Sequence, residues 1–245
     1  MLGSMEHATF CKGCWQHMRV PIPLRGIASG PFRLVGIRPS RMNPNCCTIC
    51  ELMFTRVMKA RKITIDATVM FSDIRDYTVL SQTYSATAMA ELLDAFYDEC
   101  STAIWERDGL LNKAMGDSIM AVFNFPIGQE DHTGQAVLAA RAIQHGWNKR
   151  RAALAERFGA KSVVGIGIGI DCGTISFGEF GSANKDLTAI GNVVNTAARA
   201  QSVAAGDQIL LTQAVYDRAP AYLKGSEAHE YRLKGFEAPM TLYAA

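Results

Sequence analysis

Leu110–Phe123, LLNKAMGDSIMAVF, is the stretch from which the fold can be read. It divides into two short apolar strands, Leu110–Met115 and Ile119–Phe123, turned over at Gly116-Asp117, residue types that suit a tight hairpin. A carboxylate therefore stands at a hairpin tip, with Lys113 three residues before the turn glycine. Taken alone, Asp117 reads as a structural turn residue. A second carboxylate changes that reading, and one occurs upstream in ITIDATVMFSDIRDYT, residues 63–78. There Ile63, Ile65, Ala67, Val69 and Phe71 alternate, the period of a strand with one buried face, and the strand runs out at Ser72-Asp73. Two aspartates at neighbouring strand ends can hold divalent ions between them, neutralise triphosphate oxygens and align an in-line attack.

Beyond the first strand, Ser85 is placed to cap a helix over Ala86–Arg107. Met89, Leu92, Leu93, Phe96, Cys100, Ala103 and Ile104 form its apolar stripe, and Gly109 lies just past its end. After the hairpin a second helix is expected over 131–158, stopped by Gly159, with Lys149-Arg150-Arg151 as a solvated face. SVVGIGIGID, residues 162–171, alternates glycine with apolar residues. It fits no G-x-G-x-x-G fingerprint; a strand with one bare face lets another element approach closely. Gly173 is expected to start a turn into residues 174–180. The order strand, helix, two strands, helix, strand predicts an α/β (α+β) fold with a ferredoxin-like βαββαβ core. Extra strands are expected near 208–211, 229–233 and 240–243. Between them, GNVVNTAAR predicts a short helix with Asn195 and Arg199 on one face. Those two residues, and Lys234 at a strand end, read on their own as solvated polar groups.

Four segments, FSDIRDYT around Asp73, NKAMGDSIMAVF around Asp117, GIGIGIDCG at 165–173 and LTAIGNVVNTAAR at 187–199, together resemble the class III nucleotidyl cyclase catalytic domain. The resemblance covers residues 63 to about 243 and is carried by the order and spacing of all four. It implies that Asp73 and Asp117, with the backbone of Ile74, bind two Mg2+ or Mn2+ ions, and that the backbone at Ile74 and Arg75 lies near the terminal phosphates. It implies purine reading by Lys113 and Thr188. The lysine resembles adenylyl cyclases, whereas guanylyl cyclases carry an acidic residue there; the threonine resembles a bacterial subgroup with bicarbonate-responsive members. Asn195 and Arg199 match the ribose-orienting and transition-state residues, and Lys234 the triphosphate lysine. The family's sites are shared across a head-to-tail dimer, so the resemblance implies a homodimer with two composite sites converting ATP to cyclic AMP. A guanylate cyclase, or a degenerate cyclase acting as a nucleotide-binding or dimerising sensor, is the alternative. Asp76 departs from the family pattern, where glycine is frequent.

The charge is unevenly placed. Residues 1–62 carry ten Lys or Arg against two acids, and the remainder fifteen against twenty-one. The first segment also holds five of the seven cysteines, which sets a cysteine-rich basic module (1–50) and a helical connector (51–62) apart from a catalytic domain (63–245). Cys11-Lys-Gly-Cys14 and Cys47-Thr-Ile-Cys50 are two C-x-x-C pairs able to complete a tetrahedral thiolate site for zinc, with an iron–sulfur centre or reduced, redox-active thiols as the other readings. Cys46 is spare; Cys100 and Cys172 read as lone buried residues. The Pro-, Gly- and Arg-rich residues 21–44 predict an irregular loop packed on the acidic catalytic part, and no aromatic signature of nucleic-acid binding accompanies its arginines. Apolar runs fall short of a membrane span, no signal-peptide pattern opens the chain, and Met5 is a candidate native start. The expectation is a cytoplasmic protein.

Overall fold

The computed structural model describes residues 8–158, 165–180 and 186–245; the expected helix stop at Gly159, residues 162–164 of the glycine-rich strand and the first seven residues lie outside them. In chain order the elements are α1 (Lys12–Met18), a 3-10 turn (Ile27–Ser29), α2 (Gly30–Leu34), α3 (Thr48–Ala60), β1 (Ile63–Ile74), α4 (Tyr77–Thr83) and α5 (Ala86–Glu106). There follow β2 (Leu110–Met115), β3 (Ser118–Phe123), α6 (His132–Phe158), β4 (Ile166–Phe180), β5 (Asp186–Ile190), α7 (Asn192–Val203), β6 (Ile209–Thr212), α8 (Gln213–Arg218), β7 (Glu227–Tyr231) and β8 (Met240–Ala244). The strands form one mixed sheet in the order β2-β3-β1-β4-β6-β8-β7, with β5 also paired to β4. Its β2-β3-β1-β4 half is the ferredoxin-like core, and Ser85 caps α5 by accepting from the Ala88 amide.

The one-sided reading of β1 is corrected. From Ala67 to Ser72 every side chain is buried, because β1 is central and both of its faces are covered. Met70 and Ile74 join Phe96, Ile104, Ile143 and Trp147 beneath α5 and α6. Ala67, Val69 and Phe71 join Met58 of α3 and Ala197 of α7 on the other side. Asp73 continues this second parity and so belongs to the α7 face.

The bare side of β4 behaves as its sequence predicts. Ile166, Ile168 and Ile170 enter the α5/α6 core, while a Cβ on Gly169 would sit 2.1 Å from the Gln201 nitrogen and 2.4 Å from the Ala197 oxygen of α7. The missing side chains let the helix backbone rest on the strand. Gly173 does not start a turn: at φ +149° it is carried through a strand that stays in register with β1 from Ile166 to Phe177. The Lys149–Arg151 run is not simply solvated either. Arg150 pairs with Glu99 at 2.8 Å and Arg151 with Asp207 at 2.7 Å.

Residues 8–47 fold around the cysteines and lie against the α5–β2 junction. Lys12 pairs with Asp108, Asn43 donates to the Gly109 carbonyl at 2.8 Å, and Trp105 Nε1 donates to the Met42 carbonyl at 3.0 Å. Gln16 exchanges two 2.9 Å hydrogen bonds with the Gly128 backbone. The arginines of 21–44 do not pack on the acidic part. Arg25 donates to the carbonyls of Ala8 and Pro44, while Arg33, Arg38 and Arg41 are exposed.

Candidate active site

Asp73 lies opposite Ser118, the first residue of β3, so the end of β1 and the hairpin tip are neighbours across one ladder. The Ile74 amide donates to the Asp117 carbonyl at 3.1 Å, and Tyr97 O–H donates to the Gly116 carbonyl, tying the tip to β1 and α5. The two carboxylates interact. Burial first, then the Asp117 charge, push Asp73 up to about 6, while Arg75 and a hydrogen bond with Gln201 pull it back. A raised pKa of this origin marks a place where negative charge is held in excess of its local compensation.

Arg75 compensates only in part. One guanidinium nitrogen is 3.8 Å from Asp73 Oδ1, another donates to the Gln201 carbonyl at the end of α7, and burial lowers its pKa. The guanidinium fills the space over Gly167, where a Cβ would lie 2.0 Å from it. Its Nε is buried without a partner among the described residues. The Arg75 amide donates to the Gly165 carbonyl at 3.0 Å. In this conformation the amides of Ile74 and Arg75 are therefore both engaged by backbone, a detail that motif reading could not supply.

Lys113 lies on β2, which pairs with β3, and Thr188 on β5, which pairs with β4. Asn112 Nδ2 donates to the Leu187 carbonyl at 3.2 Å, bridging β2 to β5, and both Lys113 and Thr188 are half-buried. Asn195 and Arg199 are exposed on the outer face of α7, whose inner face carries the buried Thr196, Ala197 and Ala200. Lys234 is exposed directly after Leu233, which packs in one cluster with Ala200 of α7 and Ala204 just past its end.

The structure does not bring all of these groups to one place within a chain. Val193 stands over Gly173, which pairs with Ala67, whereas Asp73 pairs with Gly167. Six strand residues separate those positions, about 20 Å at ~3.3 Å per residue. The first turn of α7, with Asn195, is thus remote from the paired aspartates. Sequence reading missed β5 and α4. Each is too short for a period.

A family profile described as "Adenylate and Guanylate cyclase catalytic domain" matches residues 60–244, and the chain belongs to that family. An adenylate cyclase of Anabaena cylindrica is 31% identical over 153 residues, 60% of this chain and 30% of that protein. Adenylate cyclase 1 of Rhizobium meliloti is 26% identical over 181 residues, 73% of this chain and 27% of that protein. The chain therefore spans less than a third of the length of these curated relatives. Among solved structures, the adenylyl cyclase CyaB from P. aeruginosa aligns with a TM-score of 0.64 at 28% identity, over 75% of this chain and 95% of that one. The guanylyl cyclase Cya2 aligns at 0.68 and 22% identity, over 74% and 92%, a likeness of fold alone. Among the described residues no helix is long and apolar enough to cross a membrane.

Proposed function

We propose that this chain is an adenylate cyclase, converting ATP to 3′,5′-cyclic AMP and pyrophosphate at two composite sites of a homodimer. The observation that carries the reading is the meeting of Asp73 and Asp117, where burial and mutual repulsion hold Asp73 at about 6. Such a pair calls for cations, and its hard oxygen donors, together with the Ile74 carbonyl, fit two Mg2+ or Mn2+ ions. When bound, these ions supply an acidified ribose hydroxyl and charge neutralisation on the triphosphate.

The chain's own residues supply the rest. Lys113 donates to the unprotonated N1 of adenine, whereas guanine presents an N–H there and is better met by a carboxylate, so lysine favours ATP. Thr188, on the strand bridged to β2, supplies the second base contact. Asn195 orients the ribose, Lys234 holds the triphosphate, and Arg199 meets charge growing on the α-phosphoryl oxygens. The ribose 3′-oxygen forms a bond to the α-phosphorus as the bond to the bridging oxygen breaks and pyrophosphate leaves. The separation of α7's first turn from Asp73, and the exposure of Asn195, Arg199 and Lys234, support a site completed by a second copy.

The test is single-turnover conversion of ATP and, separately, GTP with manganese or magnesium. Cyclic AMP from ATP, with little cyclic GMP, is expected. Mixing inactive Asp73→Ala with inactive Arg199→Ala should restore about a quarter of wild-type activity, since half of the dimers then carry one intact site. Folded dimer making neither cyclic nucleotide would remove the enzyme reading, and equal use of GTP would remove the base preference.

A further inference from the structure

The N-terminal cysteines converge more tightly than a pair of loose C-x-x-C motifs requires. The sulfurs of Cys11, Cys14, Cys47 and Cys50 all lie within 4.8 Å of one another, with Cys14–Cys50 at 3.3 Å, Cys14–Cys47 at 3.4 Å and Cys11–Cys50 at 3.6 Å. All four residues are buried and none is in a disulfide. We infer that these four thiolates bind a single zinc ion, in a mononuclear tetrahedral site that forms the core of the N-terminal segment.

The spacing selects the nuclearity. A tetrahedron with Zn–S bonds of about 2.3 Å has sulfur–sulfur edges of about 3.8 Å, close to the observed separations. An iron–sulfur cluster interposes several iron and sulfide atoms, so cysteine sulfurs bound to different irons stand farther apart than the edge of one tetrahedron, and all four could not lie this close together. The local structure explains how the chain achieves this. Cys47 is the N-cap of α3 and Cys50 lies in its first turn, so both sulfurs meet at the positive end of a thirteen-residue helix. Cys11 and Cys14 take the corresponding positions on α1. The amides of Cys14 and Cys47 donate to Cys11 Sγ at 3.3 and 3.1 Å, bonds that favour a thiolate. Four thiolates on one divalent ion leave a charge of −2, and the segment around them is the basic one.

Among the described residues the segment has no other core. Its buried cluster consists of five cysteines, Leu24 and Ile127, and Ile127 belongs to the loop after β3. So small a core does not hold a fold of this length, and a structural ion does. Cys46 is buried beside the group, its sulfur facing Gly13, but stands outside the set of four.

The test is metal analysis of the full chain purified without chelator, with acid-labile sulfide measured alongside and with Co2+ substituted for zinc. About one zinc per chain is expected, with no labile sulfide and the cobalt absorption of a tetrahedral tetrathiolate. Cys14→Ser and Cys47→Ser should each lower retained zinc at least ~10-fold, while Cys46→Ser and Cys172→Ser keep it. Should the ligand variants fail to fold, wild-type metal content and Cys46→Ser decide the matter. Folded wild type that takes up no zinc, or iron or labile sulfide found at the site, or zinc lost with Cys46→Ser, overturns the inference. None of these readouts uses a nucleotide, so the result is independent of the cyclase reading.

Discussion

The catalytic sheet and the N-terminal segment solve the same problem by opposite means. The sheet covers both faces with helices and fills them with large apolar side chains, Phe96, Phe123, Trp147 and Phe177 among them. The segment gathers five thiols, contributes one buried leucine, and fastens itself to the sheet through backbone carbonyls at Trp105, Gly109, Pro126 and Gly128. Area burial stabilises the first and polar convergence the second. Core substitutions should therefore act on one region and ligand chemistry on the other, and that division is open to direct attack.

The largest effect is expected at the paired carboxylates. Asp117→Ala and Asp73→Ala should each lower the rate of cyclic AMP formation at least ~10³-fold, about 4 kcal/mol of barrier, with circular dichroism and zinc content unchanged. Retained activity in either variant would show that the paired carboxylates are structural. Next comes the packed core. Trp147→Ala should cost roughly 3–5 kcal/mol in denaturant unfolding while leaving zinc bound, and loss of zinc in parallel would show that the regions unfold as one. Gly169→Ala belongs beside it, because the added Cβ meets α7 backbone rather than a movable side chain; a cost of roughly 2–3 kcal/mol is expected.

A smaller effect follows from the acid in the site. Asp73 is raised to about 6 in the fold against a usual value near 4, so between those values the folded protein holds more protons than the unfolded chain. Stability without divalent ions should therefore fall as pH rises from about 4 to 6 and then level off, by roughly 1–2 kcal/mol after allowance for partial exposure. Asp73→Asn should flatten that slope, and Mg2+ should stabilise the wild type above pH 6 but not the variant. A slope that survives the substitution would assign it to another group. The smallest effect concerns Asp76, which sits at φ 54° where glycine is unstrained; Asp76→Gly should raise stability by about 0.5–1 kcal/mol in thermal unfolding.

The sequence carried most of the sheet and little of how its parts touch. Alternation over residues 63–71, the Gly116-Asp117 turn and the Ser85 cap each report a local preference, and each appears in the fold within a few residues. Burial of both β1 faces was illegible because it depends on α7 and α3, one more than a hundred residues downstream. The passage of β4 through Gly173 was likewise set by twelve residues of pairing to β1, which overrode a glycine's turn preference. At the candidate site, residue types and spacing pointed to Asp73 and Asp117, and the family resemblance to Lys113. The seating of Arg75 over Gly167 and the bridge from Asn112 to Leu187 are contacts between distant segments with no local signature. The helices within residues 12–34 are five to seven residues long, too short to display a period.

The run from Cys47 to Asp73 bears on what length changes the protein tolerates. Cys47 caps α3, α3 ends at Ala60, and β1 begins at Ile63. Only two residues lie between helix and strand, so no slack separates the cysteines from the sheet. Each residue added to or removed from α3 turns its start by about 100° and moves it by ~1.5 Å. A single insertion at Arg56 would swing Lys12 and Asn43 away from Asp108 and Gly109, whereas seven insertions, nearly two full turns, would restore the angle but lift the segment ~10 Å clear. The connector is a ruler as well as a joint: point substitutions on its exposed side leave both ends in place, and any change in its count does not.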